Sequence, residues 1–332
     1  IGGMGIIVFS IAILPLLGIG GVQLFKAEVA GPLADKMTPR IKQTAKLLWG
    51  IYVGFVFLLT IILYIEGMTL FDALCHSFTT IATAGFSTHT ESIAYFNSPI
   101  IEWTIIIFML IAATNFTLHY IFISKGKFEF FKNEEFKIYF YSFFIISLII
   151  FININYHNIY EWSVSSLRHS MFTTATLLTT TGFVTENFEL WPNLSVMIIF
   201  ILFFIGGTSG STTGALKLIR TVLIFKYLLY EMKKLIHPTG VYNIKIGGNI
   251  VEENVIKNTL GFYFFYIFIF VIGALIFSSY NIDFITSFSA SASSIGNIGP
   301  GLGSIGPLDN WGHFPDTLKL LSCFMMLLGR LE

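Results

Sequence analysis

The sequence predicts an all-α integral membrane protein: pseudo-fourfold repeats, each a spanning helix, a re-entrant loop and a second helix, around one centre. Three observations carry this prediction. Of 332 residues 55% are hydrophobic and only 11% charged, with a mean hydropathy of +0.77, whereas a soluble domain carries about a quarter charged residues. The apolar residues arrive in runs of about 20, the length that crosses about 30 Å of hydrocarbon. Between the runs, a Thr/Ser-rich segment ending in a Gly turn recurs.

The elements follow in order. Long apolar stretches lie at 1–22, 47–65, 99–124, 136–154, 192–227 (interrupted), 257–280 and 317–332. Shorter Thr/Ser/Ala-rich stretches lie at 70–83, 165–179 and 284–296. These are too short to span and too apolar for a surface loop, so they read as re-entrant half-helices. Of the 19 Lys and Arg, five lie at Lys26–Lys46, four at Lys125–Lys137 and seven between Lys217 and Lys257. The positive-inside rule puts these three connections in the cytoplasm and the Thr/Ser-rich segments outside. The outer segments carry Glu66, Asp72, Glu91, Glu102, Glu161, Glu186, Glu189, Asp283, Asp309 and Asp316 against the single base Arg168. An acidic outer mouth that concentrates cations is one reading; ordinary loop polarity is the other.

The internal repeat is the strongest signal. Its turns are Thr83-Ala84-Gly85-Phe86, Thr180-Thr181-Gly182-Phe183 and Asn297-Ile298-Gly299-Pro300, with glycines 97 and 117 residues apart. Each follows a predicted half-helix, at Phe71–Ala82, Ser165–Thr179 and Asp283–Gly296. A cation filter replaces the hydration shell with carbonyl oxygens aimed at one axis. Such aiming needs backbone conformations that Gly tolerates and most residues do not. Three matching loops in one chain imply a shared pore.

The second helix of each unit carries a polar or Gly-rich break: Gly2–Gly5, Thr114–His119, Gly206–Gly210 and Gly329–Glu332. Four breaks against three Gly turns suggest that residue 1 falls inside the last helix of a first unit whose turn lies upstream. The expected division is 1–45 (last helix of repeat 1 and a cytoplasmic loop), 46–135 (repeat 2), 136–256 (repeat 3) and 257–332 (repeat 4, truncated).

With these residues in hand the sequence resembles the Trk/Ktr superfamily of potassium transporters, and within it the Trk-type membrane subunit. The matching stretches are IGGMGIIVFSIAILPLLGIGG, GFSTHTESIAYFNSP, TTTGFV, IGGTSGSTTGALKLIR, KKLIHPTGVY, NIGPGLG and LLGRLE, in family order along essentially the whole chain. The resemblance implies four pseudo-repeats around one central K⁺ pore in a bacterial cytoplasmic membrane. Carried over by position, the filter is Thr83, Ala84, Gly85 and Phe86, then Thr180, Thr181, Gly182 and Phe183, then Asn297, Ile298 and Gly299. The last loop departs from the pattern, with Asn and Pro where Thr and Phe stand in the others. The resemblance also implies a gating loop below the filter at Gly206, Gly207, Thr208, Ser209, Gly210 and Ser211, and a pore-facing Arg330. From the residues alone, Gly206–Ala215 also fits a small-residue helix crossing, and Arg330 a salt bridge within the bundle. A homodimer and a cytosolic nucleotide-binding regulatory subunit are implied as partners. The basic connections suit such docking and suit lipid headgroups equally.

Other classes find no support. Gly301-Leu302-Gly303-Ser304-Ile305-Gly306 fits a dinucleotide pattern, but no strand precedes it. Cys75 and Cys323 read as apolar fillers, the seven histidines show no ligand spacing, and no catalytic constellation sits on one element. The chain is expected to be no enzyme, to hold no cofactor beyond K⁺ as its transported ion, and to bind no nucleic acid. The competing reading is an alternating-access transporter of a small solute, with its site at the broken helices.

Overall fold

The computed structural model describes residues 41–237 and 242–330. The predicted stretch 1–22 with its Gly2–Gly5 break, the basic connection up to Arg40, and Leu331 and Glu332 lie outside the described residues. In chain order the helices are α1 (Ile41–Ile65), α2 (Leu70–Ile81), α3 (Pro99–Ala112), α4 (Phe116–Lys125), α5 (Glu134–Tyr156) and α6 (Val164–Leu178). They continue as α7 (Asn193–Leu202), α8 (Leu218–Ile236), α9 (Glu253–Ser279), α10 (Phe284–Gly296) and α11 (Asp316–Arg330).

Helix length sorts these elements. Leu47–Ile65 of α1, all of α5 and all of α9 are long and apolar enough to cross a membrane. At about 1.5 Å per residue α5 and α9 reach roughly 35 and 40 Å, whereas α2, α6 and α10 reach only about 18–23 Å. The three short helices fall within a residue of the predicted half-helices at each end. Each starts on a side-chain cap: Thr69 accepts from the N–H of Asp72, Ser163 from Ser166, and Asp283 from Thr286. Such caps satisfy donors that apolar surroundings would leave orphaned. In each unit the long helix packs on its own half-helix, α1 on α2, α5 on α6 and α9 on α10.

Polarity runs opposite to that of a soluble protein. Phe264, Phe268 and Leu275 of α9 face outward, while Ser287, Ser289, Ser291 and Ser293 of α10 are buried. Many of the interior hydroxyls bond to backbone carbonyls. Thr80 donates to the His76 carbonyl at 2.6 Å, Thr174 to that of Ser170 at 2.8 Å, and Ser291 across to Phe270 of α9 at 2.6 Å. That last bond needs close helix approach, and Gly273 permits it: a Cβ there would stand 2.6 Å from the Ser291 hydroxyl.

Two of the second helices depart from a simple span. The stretch 99–124, read from sequence as one apolar run with a polar break, folds as α3 and α4 meeting at 96°. Asn115 caps α4 by accepting from the Thr117 N–H at 2.8 Å, and His119 closes the corner with a 3.0 Å bond to the Ile111 carbonyl. The stretch 192–227 likewise breaks into α7, an irregular segment over 203–217, and α8. Beyond α8 a hairpin forms from β1 (Lys245–Ile246) and β2 (Asn249–Ile250), turning on Gly247 and Gly248, both at positive φ. Its Ile246 packs with Ile219 and Leu223 of α8 in a second apolar cluster.

Candidate functional site

Each half-helix runs directly into its Gly turn, and the three turns share one backbone path. One or two residues past the helix the backbone turns left-handed in all three: Thr83 at φ 49°, Thr180 at 52° and Asn297 at 54°. Two residues on, Gly85, Gly182 and Gly299 are positive again at 65°, 85° and 107°, while Ala84, Thr181 and Ile298 between them are not. This alternation of hand turns successive carbonyls toward one side, and it is available at the second position because that residue is glycine. A common anchor holds the path. The Thr79 carbonyl accepts from Ala84 at 2.8 Å and Gly85 at 3.3 Å, and the Thr176 carbonyl accepts from Thr181 and Gly182 at the same two distances. In the third turn the Ser293 carbonyl accepts from Ile298 at 3.1 Å, and its hydroxyl from Gly299 at 3.1 Å. Thr79, Thr176 and Ser293 were not singled out from sequence. They precede the three glycines by a constant interval, and that spacing was a signal available there.

The turns meet in sequence around one cavity. A Cβ on Gly85 would collide with the Thr181 carbonyl oxygen, and one on Gly182 with the Ile298 carbonyl oxygen, whereas one on Gly299 would meet nothing among the described residues. The first-to-second and second-to-third contacts are therefore alike, and among the described residues the third turn has an open flank. A cavity of about 560 Å³ is lined by Thr83, Ala84, Gly85, Phe86, Gly182, Asn297, Ile298 and Gly299, with Thr212, Gly214 and Arg330 among its other walls. Thr180, Thr181 and Phe183 do not line it and are fully buried behind it; Phe86 is 75% exposed. Some of the predicted carbonyls are already engaged: Phe86 accepts from the Thr79 hydroxyl at 2.8 Å, and Gly299 from the Trp311 indole at 3.1 Å. The last aromatic was not foreseen. The half-helix C-termini, each equivalent to about half a negative charge, all point into this region and favour a cation there.

Below the turns lies the irregular segment 203–217, and it bonds to every turn. Thr83 donates to the Thr212 carbonyl at 2.9 Å, Gly214 donates to the Thr180 hydroxyl at 2.6 Å, and Ala215 donates to the Gly296 carbonyl at 3.0 Å. It also takes up the carbonyls freed by the 96° corner: Thr208 and Thr212 donate side-chain hydroxyls to Ala113 and Ala112 at 3.0 and 3.2 Å. Of the predicted loop residues, Gly206 pairs with Leu216, Ser209 bonds Glu135, Gly210 accepts from Phe116, and Ser211 bonds Thr208. A Cβ on Gly207 would stand 2.8 Å from the Ala113 carbonyl. The backbone here is not a helix crossing. Arg330 donates to the Thr213 carbonyl at 2.6 Å.

Several acids of the outer segments are engaged in structural contacts. Glu102 is buried and paired with Arg168 at 2.8 Å, between α3 and α6. Asp72 accepts from Thr69 and Thr88, Glu66 from Thr104, Glu186 from Tyr160, and Glu189 from the Gly303 N–H. Asp283 is a helix cap, and hydrogen bonding from Thr286 holds its carboxyl below the ordinary value, while burial pushes Glu189 up. These acids secure loops and helix ends. Of the ten, Asp309 lines the cavity. Among the described residues no group of three or more His, Cys, Asp or Glu is placed to hold a metal ion.

Helical pairs closing re-entrant half-helices around one cavity define a polytopic membrane protein of the pore-loop class. Comparison with known proteins then gives the family. The model for the TrkH cation transport proteins matches residues 1–332. The Trk system potassium uptake protein TrkH of Vibrio parahaemolyticus is 40% identical over 335 residues, which take in all of this chain and 69% of that protein. The Escherichia coli K12 proteins TrkH and TrkG are 40% and 37% identical, each over the whole chain and 68% of their own length. The crystal structure of the potassium transporter TrkH from Vibrio parahaemolyticus superposes with a TM-score of 0.85 at 38% identity, covering 99% of this chain and 67% of that one. The chain belongs to the TrkH family.

Proposed function

We propose that this chain is the membrane subunit of a bacterial potassium-uptake system, and that K⁺ passes through the ring formed at Gly85, Gly182 and Gly299. The observation that carries the reading is the repeated turn: three loops of one backbone path, each closing on the next. The carbonyls beside the three glycines then replace water around a dehydrated K⁺, with the half-helix C-termini supplying favourable potential. The open flank beside Gly299 has the shape of a fourth place in the ring, filled by the turn of a first repeat. On this reading the repeats divide at 46–135, 136–256 and 257 onward.

The segment Gly206–Lys217 is the gate. It lies beneath the ring, bonded to each turn, and Arg330 sets a positive charge beside it that raises the barrier to a cation. The names of the relatives speak of a system, and we assign this chain a cytosolic nucleotide-binding regulator and a second copy of itself as partners. The test is tracer flux through the full-length protein in vesicles under opposed K⁺ and Na⁺ gradients. K⁺ flux exceeding Na⁺ flux is expected; equal flux, or uptake only of an organic solute, overturns the proposal.

A further inference from the structure

We infer that Glu135, the second residue of α5, is the positioning residue that clasps the intramembrane loop shut. The inference rests on reading that loop as the gate. Glu135 is 5% exposed. Its Oε1 accepts the Ser209 N–H at 2.7 Å and the Ile219 N–H at 3.2 Å, and its Oε2 accepts the Ser209 hydroxyl at 2.7 Å. Ser209 and Ile219 bracket the stretch that carries Thr212, Thr213 and Gly214. That stretch holds the groups bonded to Thr83, Thr180 and Arg330. One carboxylate therefore ties together both ends of the segment that closes the cavity from below.

The chemistry suits a clasp. All three partners are donors, so the ionised carboxylate satisfies each of them, and such bonds are stronger than neutral ones in a water-poor interior. Ile219 lies in the first turn of α8, where an anion also meets orphan N–H groups and the positive end of the helix. Lys217 supplies the opposite hold. Its ammonium donates to the carbonyls of Ser211 and Thr213. The loop is thus gripped through its N–H groups by an anion and through its carbonyls by a cation. Opening it without Glu135 moving would leave a buried charge short of partners, which makes the closed form the resting one.

A residue that merely caps α8 predicts something different from a clasp. Loss of a cap lowers the amount of folded protein and with it the flux. Loss of a clasp raises resting flux per folded molecule. The experiment is rubidium-tracer flux through the full-length protein in vesicles without regulator, normalised to the monodisperse fraction. Ser209→Ala and Glu135→Gln are each expected to raise resting flux about tenfold, the change carried by one hydrogen bond to a charged acceptor. Because the two act on one contact, the double variant is expected to exceed Glu135→Gln by less than the Ser209→Ala effect measured alone, so that its flux falls short of the product of the two single effects. Resting flux within twofold of wild type, or below it, in monodisperse Ser209→Ala overturns the inference, whether or not the Glu135 variants fold. Wild-type protein that passes no rubidium even with its regulator bound overturns the conduit and gate reading itself, so the two failures separate.

Discussion

Two glycines of the ring are expected to respond to one substitution in different ways. Gly182 and Gly299 both hold positive φ, at 85° and 107°, so alanine at either carries backbone strain of about 1–3 kcal/mol. Their surroundings differ. The added methyl at 182 would overlap the Ile298 carbonyl oxygen and stand 3.1 Å from Pro300 Cδ, while at 299 it meets none of the described residues. A carbonyl has no rotamer to escape into, so Ile298 must retreat by at least about 1 Å to relieve the overlap. That oxygen is one of those proposed to hold the ion, and misplacing a site group by about 1 Å costs about a hundredfold where geometry controls the barrier. Gly182→Ala is therefore expected to lose about a hundredfold in K⁺ flux, and Gly299→Ala no more than about tenfold. Both should insert and purify alike. Rubidium-tracer flux in vesicles, normalised to monodisperse protein, measures it. Equal losses, or a larger loss at Gly299, would refute the steric reasoning.

Three further outcomes follow from named contacts. Arg330→Gln removes the positive charge but keeps a donor for the Thr213 carbonyl, so resting K⁺ flux should rise severalfold in the same vesicles; unchanged flux counts against a charge barrier. Glu102→Ala strands Arg168 in a buried site, and breaking such a pair costs about 3–5 kcal/mol; a thermal-unfolding midpoint in detergent equal to wild type would show the pair to be idle. Charge reversal at Lys233 and Lys234 should weaken co-purification of the cytosolic regulator, and retention at wild-type levels would exclude this end of α8 from docking.

Much of this architecture was legible in the sequence because the membrane imposes simple rules. Half-helices at 70–81, 164–178 and 284–296 announced themselves as Thr/Ser-rich segments too short to span, and the Gly spacing aligned their turns. What stayed hidden is decided by tertiary contact. The break at Thr114–His119 was visible, but its 96° bend depends on Thr208 and Thr212 donating to the freed carbonyls of Ala113 and Ala112. The acids of the outer segments left a charged mouth and ordinary loop polarity both open, because sequence does not reveal that Asp283 caps a helix or that Glu102 meets Arg168. Nothing in the sequence separates Glu135 from its neighbour Glu134 at the start of α5. The hairpin at Ile246-Gly247-Gly248-Asn249 went unread although paired glycines between strand formers are a turn signal.

On the proposed function the three turns hold one dehydrated monovalent cation between them. Crystals of the full-length protein grown in thallium would test it through anomalous scattering. The account predicts a peak on the axis of the ring, at coordinating distance from carbonyls beside Gly85, Gly182 and Gly299. Thallium ordered elsewhere in the molecule, with none between these turns, would contradict it.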